Sequence, residues 1–272
     1  MAIEVFNRCE KKYIMNEETY LKVVEKIKDY MLPDTYNQNG EFYTICNIYY
    51  DTVNDRLIRN SIEKPVYKEK LRVRSYGVPK PDDLVFVEIK KKYNGIVNKR
   101  RTSMRLSDAY EYLENKETVS DVIDKAGLSY EINKQVLREI DYFKNYYEIV
   151  PKLCLCYDRY AYFGKRDNDF RITFDTNIRT RRDDLRLEHG DYGEQLLDNG
   201  SYLMEVKANG AIPLWFAKII SEFNIYPASF SKYGTEYKRY LQNNYTRKDD
   251  KICLKQFLPQ QQKTQSILAS QF

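Results

Sequence analysis

The stretch Tyr67-Lys68-Glu69-Lys70-Leu71-Arg72-Val73-Arg74-Ser75-Tyr76-Gly77 governs the reading of the whole chain. In an extended strand, residues i and i+2 share a face. Lys68, Lys70, Arg72 and Arg74 therefore stand in one row, with Leu71 and Val73 opposite. After a turn through Gly77, Pro79 and Pro81, residues 84–93 repeat the pattern. Phe86, Glu88, Lys90 and Lys92 share one side, and Val85, Val87 and Ile89 share the other. Asn94-Gly95 is a strong two-residue hairpin signal. The returning strand, residues 96–106, lines up Lys99, Arg101, Ser103 and Arg105.

A solvated sheet face would give the same alternation. Two features weigh against it for the set. Four cations in a row without an acid on their face repel one another, so truncating Arg72 or Arg74 is expected to leave stability equal or higher. The excess also recurs: Arg171, Thr173 and Asp175 oppose Ile172 and Phe174, and Leu203, Glu205 and Lys207 oppose Tyr202, Met204 and Val206. If the sheet closes with that face inward, it encloses a cationic channel with a few carboxylates. Such a channel suits polyphosphate, or a nucleoside triphosphate with its divalent metal, because Arg grips phosphate with a fork of donors and Lys supplies a point charge.

Working outward, residues 3–14 read as a strand. A helix over 17–31 follows, capped by Asn16 and ended by Pro33. Residues 42–50 read as a strand and 51–60 as a turn with a short helix. Helices fill 107–146, with a break near Gly127. Strands cover 151–165, 170–175, 178–187 and 201–207. Helices run from Pro213 to Asn224 and over 233–240. The total is about eight mostly antiparallel strands with helices around them, an α+β fold with enough strands to close a barrel. One domain spans 1–245, and 246–272 is a Gln-rich tail.

Composition excludes several classes. Lys and Arg number 45 against 40 Asp and Glu among 272 residues, a net charge of +5. Bulk attraction to nucleic acid is therefore weak, and what matters is where the cations sit. No apolar run reaches the roughly 18 residues of a membrane span, and residues 1–12 lack a signal-peptide core. Five cysteines without metal-ligand spacing read as reduced thiols, which places the chain in the cytoplasm. One histidine, His189 in a polar loop, excludes a His-based triad or a His-rich metal site. No glycine-rich phosphate loop is present. The chemistry is left to Lys, Arg, Glu, Asp and Tyr.

A series of strings resembles the VTC domain of the polyphosphate polymerases, a branch of the triphosphate tunnel metalloenzymes. They are Arg8-Cys9-Glu10-Lys11-Lys12-Tyr13, Ile48-Tyr49-Tyr50-Asp51-Thr52, Lys70-Leu71-Arg72-Val73-Arg74-Ser75-Tyr76-Gly77, Val87-Glu88-Ile89-Lys90, Tyr157-Asp158-Arg159-Tyr160-Ala161-Tyr162, Arg171-Ile172-Thr173-Phe174-Asp175-Thr176, Leu203-Met204-Glu205-Val206-Lys207 and Phe230-Ser231-Lys232-Tyr233-Gly234. Each is short; their order and spacing carry the resemblance, over about 5–240. It is to a bacterial stand-alone member: the phosphate-sensing domain and membrane helices of eukaryotic members are expected to be lacking. Where some members carry a lysine three residues before Lys232, this chain has Ser229. The Glu-x-Glu-x-Lys opening of the related CYTH hydrolases is missing, with Glu4, Phe6 and Arg8 at the nearest positions.

The resemblance implies an enzyme that moves the terminal phosphoryl group of ATP to a growing polyphosphate chain. Lys12, Arg72, Arg74, Lys90, Arg159, Arg171 and Lys232 would act on the phosphates. Arg8, Lys99, Arg101 and Lys207 would bind substrate, and Tyr157 would stack on the base. Glu205 would hold Mn²⁺ or Mg²⁺, its bland alternative being a salt bridge to Lys207 or Arg171. For Lys232, expected just before the last helix at one channel mouth, the bland alternative is a solvated loop lysine. Expected partners are ATP and polyphosphate, with room for a protein partner and none for nucleic acid. Two other readings stand beside this one: a tunnel hydrolase of triphosphate or short polyphosphate, and a non-enzymatic polyphosphate- or nucleotide-binding module. The missing CYTH opening favours the polymerase.

Overall fold

The computed structural model contains most of the strands and helices expected from local signals. It describes residues 8–246 apart from 38, 115, 116, 128 and 129, and the side chains at 8, 9, 245 and 246 are also outside the description. The tail beyond 246 and the start of the first expected strand thus lie outside the described residues. In chain order the elements are β1 (Arg8–Asn16), α1 (Glu17–Ile27), β2 (Met31–Pro33), β3 (Tyr43–Thr52), α2 (Arg56–Ile62), β4 (Tyr67–Tyr76), β5 (Leu84–Tyr93), β6 (Ile96–Arg105), α3 (Leu106–Leu113), α4 (Val119–Ala126), α5 (Lys134–Tyr147), β7 (Ile149–Gly164), β8 (Arg171–Arg181), β9 (Glu194–Gln195), β10 (Ser201–Asn209), α6 (Leu214–Glu222) and α7 (Lys232–Thr246).

The Asn94-Gly95 turn has positive φ at both residues, 44° and 87°, the requirement of a type I′ hairpin. It pairs Tyr93 with Ile96. Asn16 caps α1 by accepting from the Thr19 amide at 3.0 Å. Buried Asp51 caps α2, accepting from the amides of Leu57 and Ile58 at 2.8 Å each, which satisfies donors that a helix start leaves unpaired.

The strands form one antiparallel sheet in the order β1-β10-β8-β7-β3-β4-β5-β6, with β2 beside β7 and β9 beside β8. Its outward face is apolar. Leu71, Val73, Val85, Val87, Ile89 and Met104 are at most 1% exposed and pack under α3, α4 and α5. On the other flank Tyr13, Ile172, Phe174, Met204 and Val206 pack on α1 and α6. A third cluster joins Ile45, Leu153, Leu155 and Leu203 to Tyr233 and Tyr237 of α7, on the inward face. With the apolar face covered by helices, the charged face is turned inward rather than to bulk solvent.

Three expectations change. The barrel is an open, curled sheet: among the described residues, its end strands β1 and β6 share no ladder. The first helix stops at Ile27, and Met31, its expected last residue, instead begins a strand, Met31-Leu32-Pro33, on Phe163 and its neighbours; a tertiary ladder overrides helical periodicity there. The strands expected at 170–175 and 178–187 are one strand, β8, ending at Arg181. It passes through Asn177 at φ 49°, opposite a register shift between Cys156 and Asp158, the mark of a bulge.

Candidate functional site

Alternation along the strands brings the inward residues into one cavity of about 200 Å³. Its lining comes from both end strands and from those between: Glu10 and Lys12 of β1, Lys70, Arg72 and Arg74 of β4, Glu88 and Lys90 of β5, Lys99 of β6, Arg159 of β7, Glu205 and Lys207 of β10, and Lys232 at the start of α7. Nine cations face three carboxylates, and Tyr49, Tyr157, Ser231 and Tyr233 complete the wall.

Two carboxylate-centred clusters hold the cations. In the first, Glu88, 2% exposed, takes Arg72 at 2.7 Å, Lys99 at 2.6 Å and Arg74 at 3.8 Å. Arg74 also donates to Asn47 Oδ1 at 2.9 Å and to Tyr157 Oη at 3.0 Å. The relief that β4 lacks on its own strand comes from β5, since Arg72 stands opposite Glu88 in register. Burial opposes ionisation of Glu88, but Arg72, Arg74 and Lys99 overcome it and hold the carboxyl well below its ordinary range. Truncating Arg72 or Arg74 therefore removes a partner and does not merely relieve repulsion, contrary to the expectation from the strand alone.

The second cluster is deeper. Arg159 clasps Asp175 with two hydrogen bonds, 2.6 and 2.8 Å. Lys232 Nζ donates to Asp175 Oδ2 at 2.5 Å and to Glu205 Oε1 at 3.3 Å. Lys12 donates to Glu205 Oε1 at 2.8 Å and lies 3.5 Å from Glu10. Lys232 is the first residue of α7, and its side chain is 10% exposed; it is inside the cavity and not a solvated loop lysine. The partners of Glu205 are Lys12, Lys232 and, at 3.9 Å, Arg159, not the Lys207 or Arg171 of the bland salt-bridge alternative. Burial pushes the Glu205 carboxyl up, and Lys232 and Lys12 more than reverse it.

Three lysines are held poised. Burial pushes Lys70 down to about 8, with Lys90 and Lys68 adding repulsion. Burial, with repulsion from Arg72 and Arg74, brings Lys99 to about 7 despite Glu88. Burial also brings Lys207 to about 8. Lys99 is so placed although its side chain is 39% exposed and lies 2.6 Å from Glu88; an entering polyanion would favour the ammonium form of all three.

Among the described residues no group of three His, Cys, Asp or Glu side chains converges as a metal cage. The donors present fit an ion that binds through one or two carboxylates and its substrate's phosphates, the habit of Mg²⁺. Glu10 and Glu205 flank Lys12, and the buried hydroxyl of Thr173, opposite Glu205 in register, has no hydrogen-bond partner.

Ten of the expected site residues line the cavity: Lys12, Arg72, Arg74, Lys90, Lys99, Tyr157, Arg159, Glu205, Lys207 and Lys232. Arg171 and Arg101 do not. Arg171 pairs with Asp34 at 3.3 Å and lies over Phe163, and Arg101 lies over Phe86 at 4.3 Å. Arg8 begins β1, but its side chain is outside the described ones. Tyr157 has no face for a base: it is 2% exposed, with Lys232 Nζ at 4.5 Å and Arg159 at 5.1 Å over its ring. Sequence reading missed Glu10, Tyr49 and Lys70 as wall residues, and Asp175 as the anchor of Arg159 and Lys232. Alternation was signal enough for the first three. Glu10 and Lys12 lie two apart on β1 and both face inward, so the Glu-x-Lys half of the opening, whose nearest positions were Phe6 and Arg8, is present four residues later.

Comparison with known proteins follows the same lines. No curated protein matches the chain. Similar solved structures include an adenylyl cyclase homologue from Hippeastrum described as having a dominant triphosphatase activity (16% identity, 82% of this chain and 92% of that one, TM-score 0.47). Two more are a Bacillus halodurans protein named for adenylate cyclase (15%, 82% and 92%, 0.46) and a protein from Pyrococcus horikoshii (13%, 85% and 99%, 0.42). The VTC domain profile matches residues 7–241, nearly the whole of the described chain, and the protein therefore belongs to the VTC domain family.

Proposed function

We propose that the protein is a metal-dependent phosphotransferase that passes the terminal phosphoryl group of ATP to the end of a polyphosphate chain. The observation that carries this reading is the convergence of nine cations, from seven elements including both end strands, on a cavity of about 200 Å³. That space is small beside the roughly 300–1,000 Å³ of an ordinary small-molecule pocket, and its nine cations suit a polyanion.

Phosphoryl transfer asks the protein chiefly for position and charge. Arg159 and Lys232, braced by Asp175, and Lys12, braced by Glu205, hold the transferred group at the deep cluster. Arg72, Arg74 and Lys99 hold the neighbouring phosphates around Glu88, while Lys90 and Lys207 add charge along the wall. A terminal phosphate oxygen of the acceptor forms the new bond to the γ-phosphorus. The bond to the β–γ bridging oxygen breaks, and ADP leaves with that electron pair. Mn²⁺ or Mg²⁺, held by Glu205 with Glu10, would supply further neutralisation of phosphate charge. No side-chain nucleophile is required.

A second reading has one specific observation behind it. Glu10 and Lys12 share the inward face of β1, the last two positions of the hydrolase opening, and Glu10 is a candidate to orient water. Incubation of the purified protein with ATP and Mn²⁺ separates the two: ADP with polyphosphate supports the transferase, and free phosphate alone the hydrolase.

A further inference from the structure

At one end of the cavity the inward rows turn from charged to aromatic. On β4, Tyr76 follows Arg74; on β5, Phe86 precedes Glu88; on β3, Tyr43 stands opposite Arg159. Two residues advance a strand by roughly 6.6 Å, so Tyr76 lies one step beyond Arg74, while Phe86 is level with Arg74 and Tyr43 with Arg159. Tyr36, from the short turn after β2, stacks on Tyr76 with centroids 5.2 Å apart and planes 5° from parallel. Tyr43 lies 6.0 Å from Tyr76, and Phe86 meets Tyr76 edge-on at 6.0 Å. Arg101 lays its guanidinium over Phe86 at 4.3 Å. Arg171 reaches the same turn: it pairs with Asp34 at 3.3 Å, which accepts from the Tyr36 amide at 3.5 Å, and its buried Nε has no hydrogen-bond partner.

A packing role does not account for this group. Tyr36, Tyr76 and Phe86 belong to none of the three apolar cores. Tyr36 is 62% exposed and Tyr76 39%, leaving flat ring surface in water at the open end of an anion site. Exposed parallel rings with arginine beside them form the sequence-tolerant platform on which bases stack.

We propose that this mouth is a nucleobase subsite. The base of a nucleoside triphosphate stacks on the Tyr36–Tyr76 platform beside Arg101, and its phosphates run inward past Arg74 to Arg159. The site then distinguishes a nucleotide from inorganic triphosphate. Arg101 and Arg171, outside the cavity wall, find their place here, and Tyr157 is relieved of the role expected of it. This rests on the triphosphate reading of the cavity.

The test compares ATP with tripolyphosphate, each titrated into the wild type, Tyr36→Ala and Tyr36→Phe by calorimetry. Tyr36→Ala is expected to weaken ATP binding about 10-fold, the scale of one lost base-stacking contact, and to leave tripolyphosphate unchanged. Tyr36→Phe, which keeps the ring, is expected to bind both like wild type. Thermal melts confirm that each variant is folded; the exposure of Tyr36 makes that the expected result. Unchanged ATP affinity in Tyr36→Ala, or an equal loss for both ligands, overturns the subsite. A wild type that binds neither ligand overturns the triphosphate reading and the subsite with it.

Discussion

Single side chains here are set by their partners, and two of them expose the chemistry most directly. Glu205 is an ionised carboxylate kept that way by Lys232 and Lys12. Glu205→Gln keeps its shape and removes its charge. Turnover with ATP and Mn²⁺ is expected to fall at least ~100-fold, the scale of a lost transition-state stabiliser, while metal-free nucleotide binding persists; a wild-type rate in this variant would remove Glu205 from the metal site. Lys232 is held between Asp175 and Glu205, with its ammonium form strongly favoured: burial disfavours the charge, but those two carboxylates prevail. Lys232→Ala is expected to lower kcat more than it raises KM for ATP, the signature of a contact made mainly in the transition state. Lys232→Arg is expected to recover part of the rate, since a planar fork replaces a compact charge. Equal kcat in wild type and Lys232→Ala would sink the assignment. Lys232 was legible as a site residue from its motif; its depth was not, because the carboxylates that draw it inward come from β8 and β10, far away in sequence.

Strands carry the design at the next scale. The β4–β5–β6 meander was readable nearly to the residue, because period-two alternation and the Asn94-Gly95 turn agree with each other. What alternation could not show is which cross-strand neighbour answers each charge. Register places Glu88 between Arg72 and Arg101, and Glu88 then acts as an internal substitute for an anionic ligand. Glu88→Gln leaves Arg72, Arg74 and Lys99 facing one another with little counter-charge. The variant is expected to melt lower than wild type, by an amount corresponding to about 3 kcal/mol, the low end of the cost of breaking a buried pair. Added tripolyphosphate should recover more stability in it than in wild type. Melting curves with and without tripolyphosphate check this, and an unchanged melting temperature would show the cations to be adequately solvated. The lost end of α1 teaches the complementary lesson: Met31 obeys helical spacing, yet pairing with Gly164 claims it for β2.

At the scale of the molecule, the proposed triphosphate site is expected to couple anion binding to proton uptake. Lys70 and Lys99 fall to about 8 and about 7 in the folded protein, from an ordinary value of 10.5. Between about pH 7 and about pH 10 the unfolded chain holds more protons at these two positions, so their contribution to stability rises with pH across that window and is lost as pH falls through the folded values. Triphosphate affinity runs the other way, because the ligand favours the ammonium form: it should decline from pH 7 to 9, with net proton uptake on binding at pH 8. Calorimetry in buffers of differing ionisation heat measures that uptake, and an uptake of zero would show both lysines already charged. The α+β class and the inward cations were legible in the sequence, since helices covering the apolar face leave the charged face nowhere else to turn. The failure to close was not, because pairing of β1 with β6 has no local signature. That open edge has a consequence for how a long substrate is loaded. A ring of hydrogen-bonded strands admits a polymer only by its end, like thread through a needle. A trough whose two rims share no backbone seam among the described residues is not hydrogen-bonded shut along that edge, so if polyphosphate is the substrate, a chain tethered at both ends is expected to enter from the side, like a cable laid in a clip, and to compete for the site as a free one does.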